Sequence, residues 1–347
     1  MTQQTVFCSV PLSFLSLLVL PAAAATSLTL IAALRRALPA GCLSAAVDQR
    51  SNHAHPARQI GGLGAVPAAA AVLAAVLWLA GVAPGPWLAL GAGAFVLWLA
   101  GLADDWRPAG AVAKFTAQFA AAAIVVVWGG LRLPLFEVLP PVVSGIILAV
   151  VLVWFVNMVN FMDGLDLLTA SGAGLSVLFA GTLCLLLAGD TGAWLAGLAV
   201  FAALAGFAVH NRPPAPVFLG DSGSLPLGLA AGFLALKAAE TASPVLALLP
   251  FAYYLADTLT TVAKRALERK NVLKAHSEHA YQVARRAGVA GPAIVARIAA
   301  VGVVSGAAAL VGAVAAPTVS IVVIAAGWLT GLALVLHFRR AGGLAPG

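Results

Sequence analysis

The chain has 347 residues, of which 62% are hydrophobic and 9% charged, and its mean hydropathy is +1.03. A soluble domain carries roughly a quarter charged residues, so this composition excludes one and describes an all-α, polytopic integral membrane protein. The formal net charge of +7 would suit a nucleic-acid partner, but the cations lie where membrane proteins place them, which excludes nucleic acid.

Apolar runs long enough to cross a hydrocarbon core of roughly 30 Å recur along the whole length. They predict spans at 10–34, 64–83, 86–103, 112–129, 141–159, 171–188, 193–209, 224–239, 244–263, 295–314 and 318–337. That is about eleven helices, with ten to twelve bracketing the count, in a single transmembrane domain over 1–347. The first run has no Lys or Arg before it, unlike a secretory signal peptide, and is expected to be the first span. Turn signals such as "APGP" at 83–86, "LPP" at 139–141 and "NRPPAP" at 211–216 separate the runs. Cys8, Cys42 and Cys184 have neither disulfide-framework nor zinc-site spacing.

With the N-terminus outside, all 19 Lys and Arg except Arg132 and Lys237 fall on one side. The positive-inside rule makes that side the cytoplasm, with the C-terminus there too. The cytoplasmic loops are then approximately 35–63, 104–111, 160–170, 210–223 and 264–294. Most of the acids cluster at the same face, and a carboxylate at a membrane boundary is costly enough to imply function.

Five stretches carry that chemistry. In the first loop, Arg50, His53, His55 and Arg58 stand beside glycines 61, 62 and 64, a mixture suited to phosphate. "GLADDWR" ends the third span with Asp104 and Asp105, adjacent carboxylates that ask for a nearby cation. "NMVNFMDGLD" spaces Asn157, Asn160, Asp163 and Asp166 three apart, which on a continuous helix would turn four oxygen-bearing groups one way. Helix capping is the plain alternative for Asp and Asn there. In "PVFLGDSGSLPLG", Asp221 precedes Ser222 and Ser224, either of which could cap the next helix and leave its amides aimed at an anion. Phe218, three residues earlier, suits base stacking or plain packing. "HSEH" places His276 and His279 three apart; without a third ligand this is a weak zinc pattern, and contact with phosphate fits its basic surroundings better.

Acids for a divalent metal, bases for phosphate and an adjoining bilayer point to phosphoryl transfer between a soluble phosphate-bearing donor and a lipid acceptor. A proton-coupled transporter is the rival from another class; it predicts charge on both faces and polar groups at mid-helix. A CDP-alcohol phosphotransferase, suggested by "DGLD", would need further aspartates between Leu167 and Gly189, where there are none.

In this order, the five stretches resemble the polyprenyl-phosphate N-acetylhexosamine-1-phosphate transferase superfamily, from Asp48 to about Gly288. The resemblance implies ten or eleven membrane helices. It implies transfer of an N-acetylhexosamine 1-phosphate from a UDP-sugar, such as UDP-GlcNAc, to undecaprenyl phosphate at the bacterial inner membrane, releasing UMP. It implies Mg²⁺, with Mn²⁺ as a substitute, held by Asp221 and Asn160. Asp104, Asp105 and Asp163 become the expected catalytic carboxylates, whether transfer is direct or passes through an aspartyl-phosphate. Lys114, Asp166, Asn157, Phe218 (against uracil), His276, His279 and Arg58 become the expected substrate contacts, and a homodimer is compatible with the family. Ser277 and Glu278 stand where members often carry a basic residue. The loop also lacks the triple histidine of the phospho-MurNAc-pentapeptide translocases, so an O-antigen or other surface-polysaccharide initiator is favoured, with the pentapeptide translocase as the alternative.

Overall fold

A computed structural model describes residues 11–39, 41–44, 57–271 and 276–343; Arg50, His53, His55 and Lys274 fall outside them. Among the described residues, ten helices are long and apolar enough to cross a membrane. They are α1 (Leu12–Ala37), α2 (Gly61–Leu79), α3 (Gly85–Trp106), α4 (Ala111–Gly129) and α5 (Pro141–Met162), then α6 and α7 together (Leu168–Ser171 and Ala173–Ala188). After these come α8 (Thr191–Ala208), α9 (Asp221–Ala239), α13 (Gly291–Val314) and α14 (Pro317–Gly343). The segment expected to span at 244–263 is broken. Pro244–Ala247 forms α10, Leu249–Phe251 a 3-10 turn, and Ala252–Leu267 forms α11, which carries Asp257, Lys264 and Arg265. Pro250 lacks the N–H that a continuous helix would use there. A short α12 (Ala280–Arg286) follows. Among the described residues there is no strand, only isolated bridges from Arg58 to Ser44 and to Val217.

Helix α9 is the mast of the bundle. From Asp221 to Ala239 only Asp221 and Lys237, near its two ends, are not buried. Its 19 residues extend about 28 Å, so Asp221 belongs to one membrane face and Lys237 to the other. Apolar side chains gain nothing by leaving lipid for a helix interface, so membrane helices associate through small residues that let backbones approach. Here Gly228 rests on the backbone of Val156 in α5, and Gly62 of α2 rests on the backbone of Gly223. Gly101 of α3 lies against the main chain of Asp221 and Ser222. Three helices are thereby drawn onto the end of α9 that carries Asp221.

The opposite end is closed by a separate polar knot. Lys237 pairs with Glu240 at 2.5 Å and with Asp190 at 3.7 Å. Asp190 also caps α8 by accepting from the Ala193 amide. A half-buried lysine at a helix end is compensated this way, and no chemistry is needed to explain it.

Candidate active site

The N-terminus of α9 is the centre around which the acids gather. Gly220, at φ +74°, turns the chain into the helix in a conformation open chiefly to glycine. The expectation that Ser222 or Ser224 caps α9 and leaves its amides for an anion is overturned. Asp105, at the end of α3, accepts from the amides of Asp221 (2.8 Å) and Ser222 (3.0 Å), while the amides of Gly223 and Ser224 return to the Gly220 carbonyl. A carboxylate taking the helix start is favoured by the macrodipole as well as by hydrogen bonding. The amides are consumed, so anions at this end must be held by side chains.

Lys114 supplies one. Its ammonium lies 2.7 Å from both Asp104 Oδ2 and Asp221 Oδ2, tying α3, α4 and α9 together. Asp104 Oδ1 accepts from the Ala109 amide at 2.7 Å, which fixes the turn between α3 and α4. From α5, Asn160 donates to Asp221 Oδ1 (2.9 Å) and to Ser224 Oγ (2.8 Å). Asp104, Asn160, Lys114 and Asp221 are distant in sequence and meet here in one polar cluster.

The stripe expected from Asn157 to Asp166 does not survive, because α5 stops at Met162. Asn157 is directed at α4, where its amide donates to Gln118 Oε1 at 2.7 Å. Asp163 stands just past the helix end and accepts from Thr169. Asp166 lies in the following loop and accepts from the Ala215 amide at 3.1 Å. Asp166 and Asn157 thus anchor neighbouring segments, while Asp163 stays in the field of the cluster. Burial, then the charges of Asp221 and Asp105, push the Asp163 carboxyl up from 3.8 to about 7.

That shift fixes a sign. A carboxyl raised on folding holds its proton more tightly in the native state than in the unfolded chain. Its stabilising contribution is complete below the ordinary carboxylate range and is lost as pH rises through about 7. Melting of the chelator-treated protein is therefore expected to fall between about pH 4 and about pH 7 and to level off above that, and Asp163→Asn to flatten that fall. An equal fall in the variant would place the titration elsewhere.

The remaining expected contacts surround this cluster. The Phe218 amide donates to the Arg58 carbonyl and the Phe218 carbonyl accepts from the Gly61 amide, both at 2.9 Å, which sets the aromatic ring three residues ahead of Asp221. Arg58 donates to the Arg35 carbonyl at the end of α1 (3.1 Å). His276 and His279 stack at 5.1 Å between ring centroids and lean on Phe161, the residue after Asn160. His276 is pushed down to about 4, first by burial and then by His279 and Arg265, so at neutral pH it offers a hydrogen bond rather than a charge. Glu278, between the histidines, is taken up by Arg265 at 2.6 Å and points its charge into α11.

Among the described residues, no group of three or more His, Cys, Asp or Glu side chains is arranged to hold a metal unaided. Mg²⁺ does not need one: it keeps several waters and binds through one or two carboxylates plus substrate phosphates. The donor set suits it. Four carboxylates, Asp104, Asp105, Asp163 and Asp221, gather here with one lysine, which pairs with Asp104 and Asp221, and burial first, then the charges of Asp221 and Asp105, raise the Asp163 carboxyl. Asn160 donates to Asp221 through its amide nitrogen, and its amide oxygen is a hard donor of the kind Mg²⁺ takes.

A model described as glycosyl transferase family 4 matches residues 87–239, a range that runs from the first turn of α3 to the end of α9 and holds Asp104, Asp105, Lys114, Asn160, Asp163 and Asp221. Over 251 residues, 67% of this chain and 69% of the relative, the sequence is 30% identical to the probable undecaprenyl-phosphate N-acetylglucosaminyl 1-phosphate transferase of Bacillus subtilis. The chain belongs to glycosyl transferase family 4. It is also 39% identical over 113 residues to the phospho-N-acetylmuramoyl-pentapeptide-transferase of Carboxydothermus hydrogenoformans, covering 32% of this chain and 33% of that one. With the enzyme of that name from Synechococcus sp. (strain RCC307) it shares 39% over 159 residues, 38% of this chain and 42% of that one. This family 4 protein is thus a multi-pass membrane phosphoglycosyltransferase that uses a polyprenyl phosphate and a sugar phosphate. The range that the family model matches ends before the histidine loop and α11.

Proposed function

We propose that this protein transfers N-acetylhexosamine 1-phosphate from a UDP-sugar, UDP-GlcNAc or a close relative, to undecaprenyl phosphate and so begins a cell-surface polysaccharide. The observation that carries the proposal is the junction of Lys114, Asp104, Asn160 and Asp221 at the start of α9. The asymmetry of Lys and Arg supports placing that face in the cytoplasm, in a bacterial inner membrane.

Asp221 and Asn160 would hold Mg²⁺, with Mn²⁺ able to replace it, and the bound ion would neutralise pyrophosphate charge on the donor. Lys114, released from one of its two carboxylates, takes a phosphate oxygen. Phe218 faces the uracil and His279 a donor phosphate. An oxygen of the lipid phosphate attacks the phosphorus that bears the sugar; the bond from that phosphorus to the UMP oxygen breaks, and UMP leaves. A proton still carried by the lipid phosphate passes to Asp163, whose raised affinity near neutrality suits a base. Asp105 is committed through both oxygens to the amides of α9, so its part is to fix Asp221 in place.

The test is UMP release by the purified protein supplied with undecaprenyl phosphate, Mg²⁺ and a panel of UDP-N-acetylhexosamines. Release is expected with at least one of them, to stop on chelation and to return with Mg²⁺ or Mn²⁺. Release only from UDP-MurNAc-pentapeptide would give the protein the peptidoglycan role instead, and no release from any donor would overturn the proposal.

A further inference from the structure

Resting on the reading that His279 meets the donor, we infer that Asp257 of α11 is a positioning residue for that histidine. Asp257 is fully buried, and its Oδ1 lies 3.4 Å from Nδ1 of His279, whose side chain is only 3% exposed. Among the described residues Nε2 of His279 completes no hydrogen bond, while the side chain also sits over the Gln282 amide in a capping box at the start of α12. A buried polar nitrogen without a partner is costly and rare, so Nε2 awaits a group that the described residues do not provide. The donor's phosphate is that group.

The carboxylate itself has almost no freedom. It accepts from the Ala280 amide at 2.8 and 3.0 Å, from Thr261 Oγ1 at 3.1 Å and from the Tyr253 hydroxyl at 3.2 Å. Arg339 of α14 stands 3.9 Å away and donates to Thr261 at 2.7 Å. The imidazole is held between His276 and Tyr281, whose rings stack on it at 5.1 and 6.2 Å, with Phe161 at 6.0 Å. Tyr281 donates to the Phe161 carbonyl at 3.0 Å, one residue from Asn160. With the ring plane fixed by its neighbours and Nδ1 facing a fixed carboxylate, the Nδ1 proton is directed at Asp257 and Nε2 is presented away from it. A carboxylate that orients an imidazole through one nitrogen and leaves the other for chemistry is a recurrent arrangement. It also gives the broken segment a purpose: α11 carries the carboxylate, and α14 locks it.

Asp257 caps α12 as well, so a purely structural role must be separated by measurement. Asp257→Asn keeps an oxygen for the Ala280 amide and removes the charge. We expect kcat/KM for the UDP-sugar to fall by about tenfold or more, with KM for undecaprenyl phosphate and the melting profile unchanged. On a His279→Ala background the same substitution should change kcat/KM by less than about twofold, because the residue it acts through is gone. Unaltered kinetics in the single variant overturn the inference, and so does a loss that multiplies with that of His279→Ala. If Asp257→Asn does not fold, Thr261→Val removes one of the carboxylate's donors and leaves the charge and cap in place. A rise of about threefold in donor KM then supports the inference and an unchanged KM overturns it. A wild-type protein that releases no UMP overturns the proposed function and this inference with it; an active wild type with an unaffected Asp257→Asn overturns only the inference.

Discussion

Asp221→Asn is expected to lower turnover by about a thousandfold or more while the protein remains folded. The substitution preserves shape. Its oxygen still accepts from Asn160, and the start of α9 is held by the backbone amides of residues 221 and 222 on Asp105, not by the side chain of 221. What disappears is a charge at the point where Lys114, Asn160 and the proposed Mg²⁺ meet. Lys114 would then pair with Asp104 alone, and the cluster would lose the carboxylate best placed to hold a cation beside Asn160. Two measurements separate this from damage to the fold. UMP release should collapse, and stabilisation of the purified protein by Mg²⁺ should disappear while its melting in chelator stays near that of the wild type. Turnover within about tenfold of wild type would remove Asp221 from the centre of the chemistry and, with it, the assignment of Asn160 as its partner.

Much of this centre could be read from the sequence because charge is scarce in it. In a chain with 9% charged residues, each acid at a membrane boundary is conspicuous, so Asp104, Asp105, Asp163 and Asp221 were visible before any fold was known. The spans were legible for the same reason: a bilayer imposes one length and one polarity. Three things were hidden. The end of α5 at Met162 depends on how the chain leaves the helix toward Thr169 and Ala215, so the three-residue spacing from Asn157 to Asp166 suggested a stripe that the fold divides. The capping of α9 by Asp105 joins residues more than a hundred positions apart, and the nearby serines were the better local candidates. Asp257 belonged to no motif that could be read locally. It sits in an amphipathic segment without a motif, and its importance comes from Ala280 and His279, which lie beyond an intervening loop. The one hint was energetic, since a carboxylate in an otherwise apolar run needs a partner somewhere.

Gly101→Ala is the second large effect, and it comes from a residue with no chemistry. By helix propensity alone the change should stabilise α3 by about 1 kcal/mol, since glycine is a poor helix former. The tertiary contact opposes it. A Cβ at 101 would lie 2.3 Å from the Asp221 carbonyl oxygen, 2.4 Å from its carbon and 2.4 Å from the Ser222 nitrogen. These are backbone atoms at the start of a buried helix and cannot swing aside as a side chain would. Either α3 or the first turn of α9 must move, and Asp105, Asp221 and Lys114 move with it. A displacement of about 1 Å at reacting groups is enough to cost about a hundredfold in rate, and that is the expected loss. Gly91→Ala, one helix face and ten residues away in α3, provides the control, because a Cβ there meets nothing within 4 Å. That variant should keep full activity and melt slightly higher. If the two alanine variants behave alike, α3 and α9 are not packed tightly enough for Gly101 to set the position of Asp221, and the close approach that draws the carboxylates together would have to arise elsewhere.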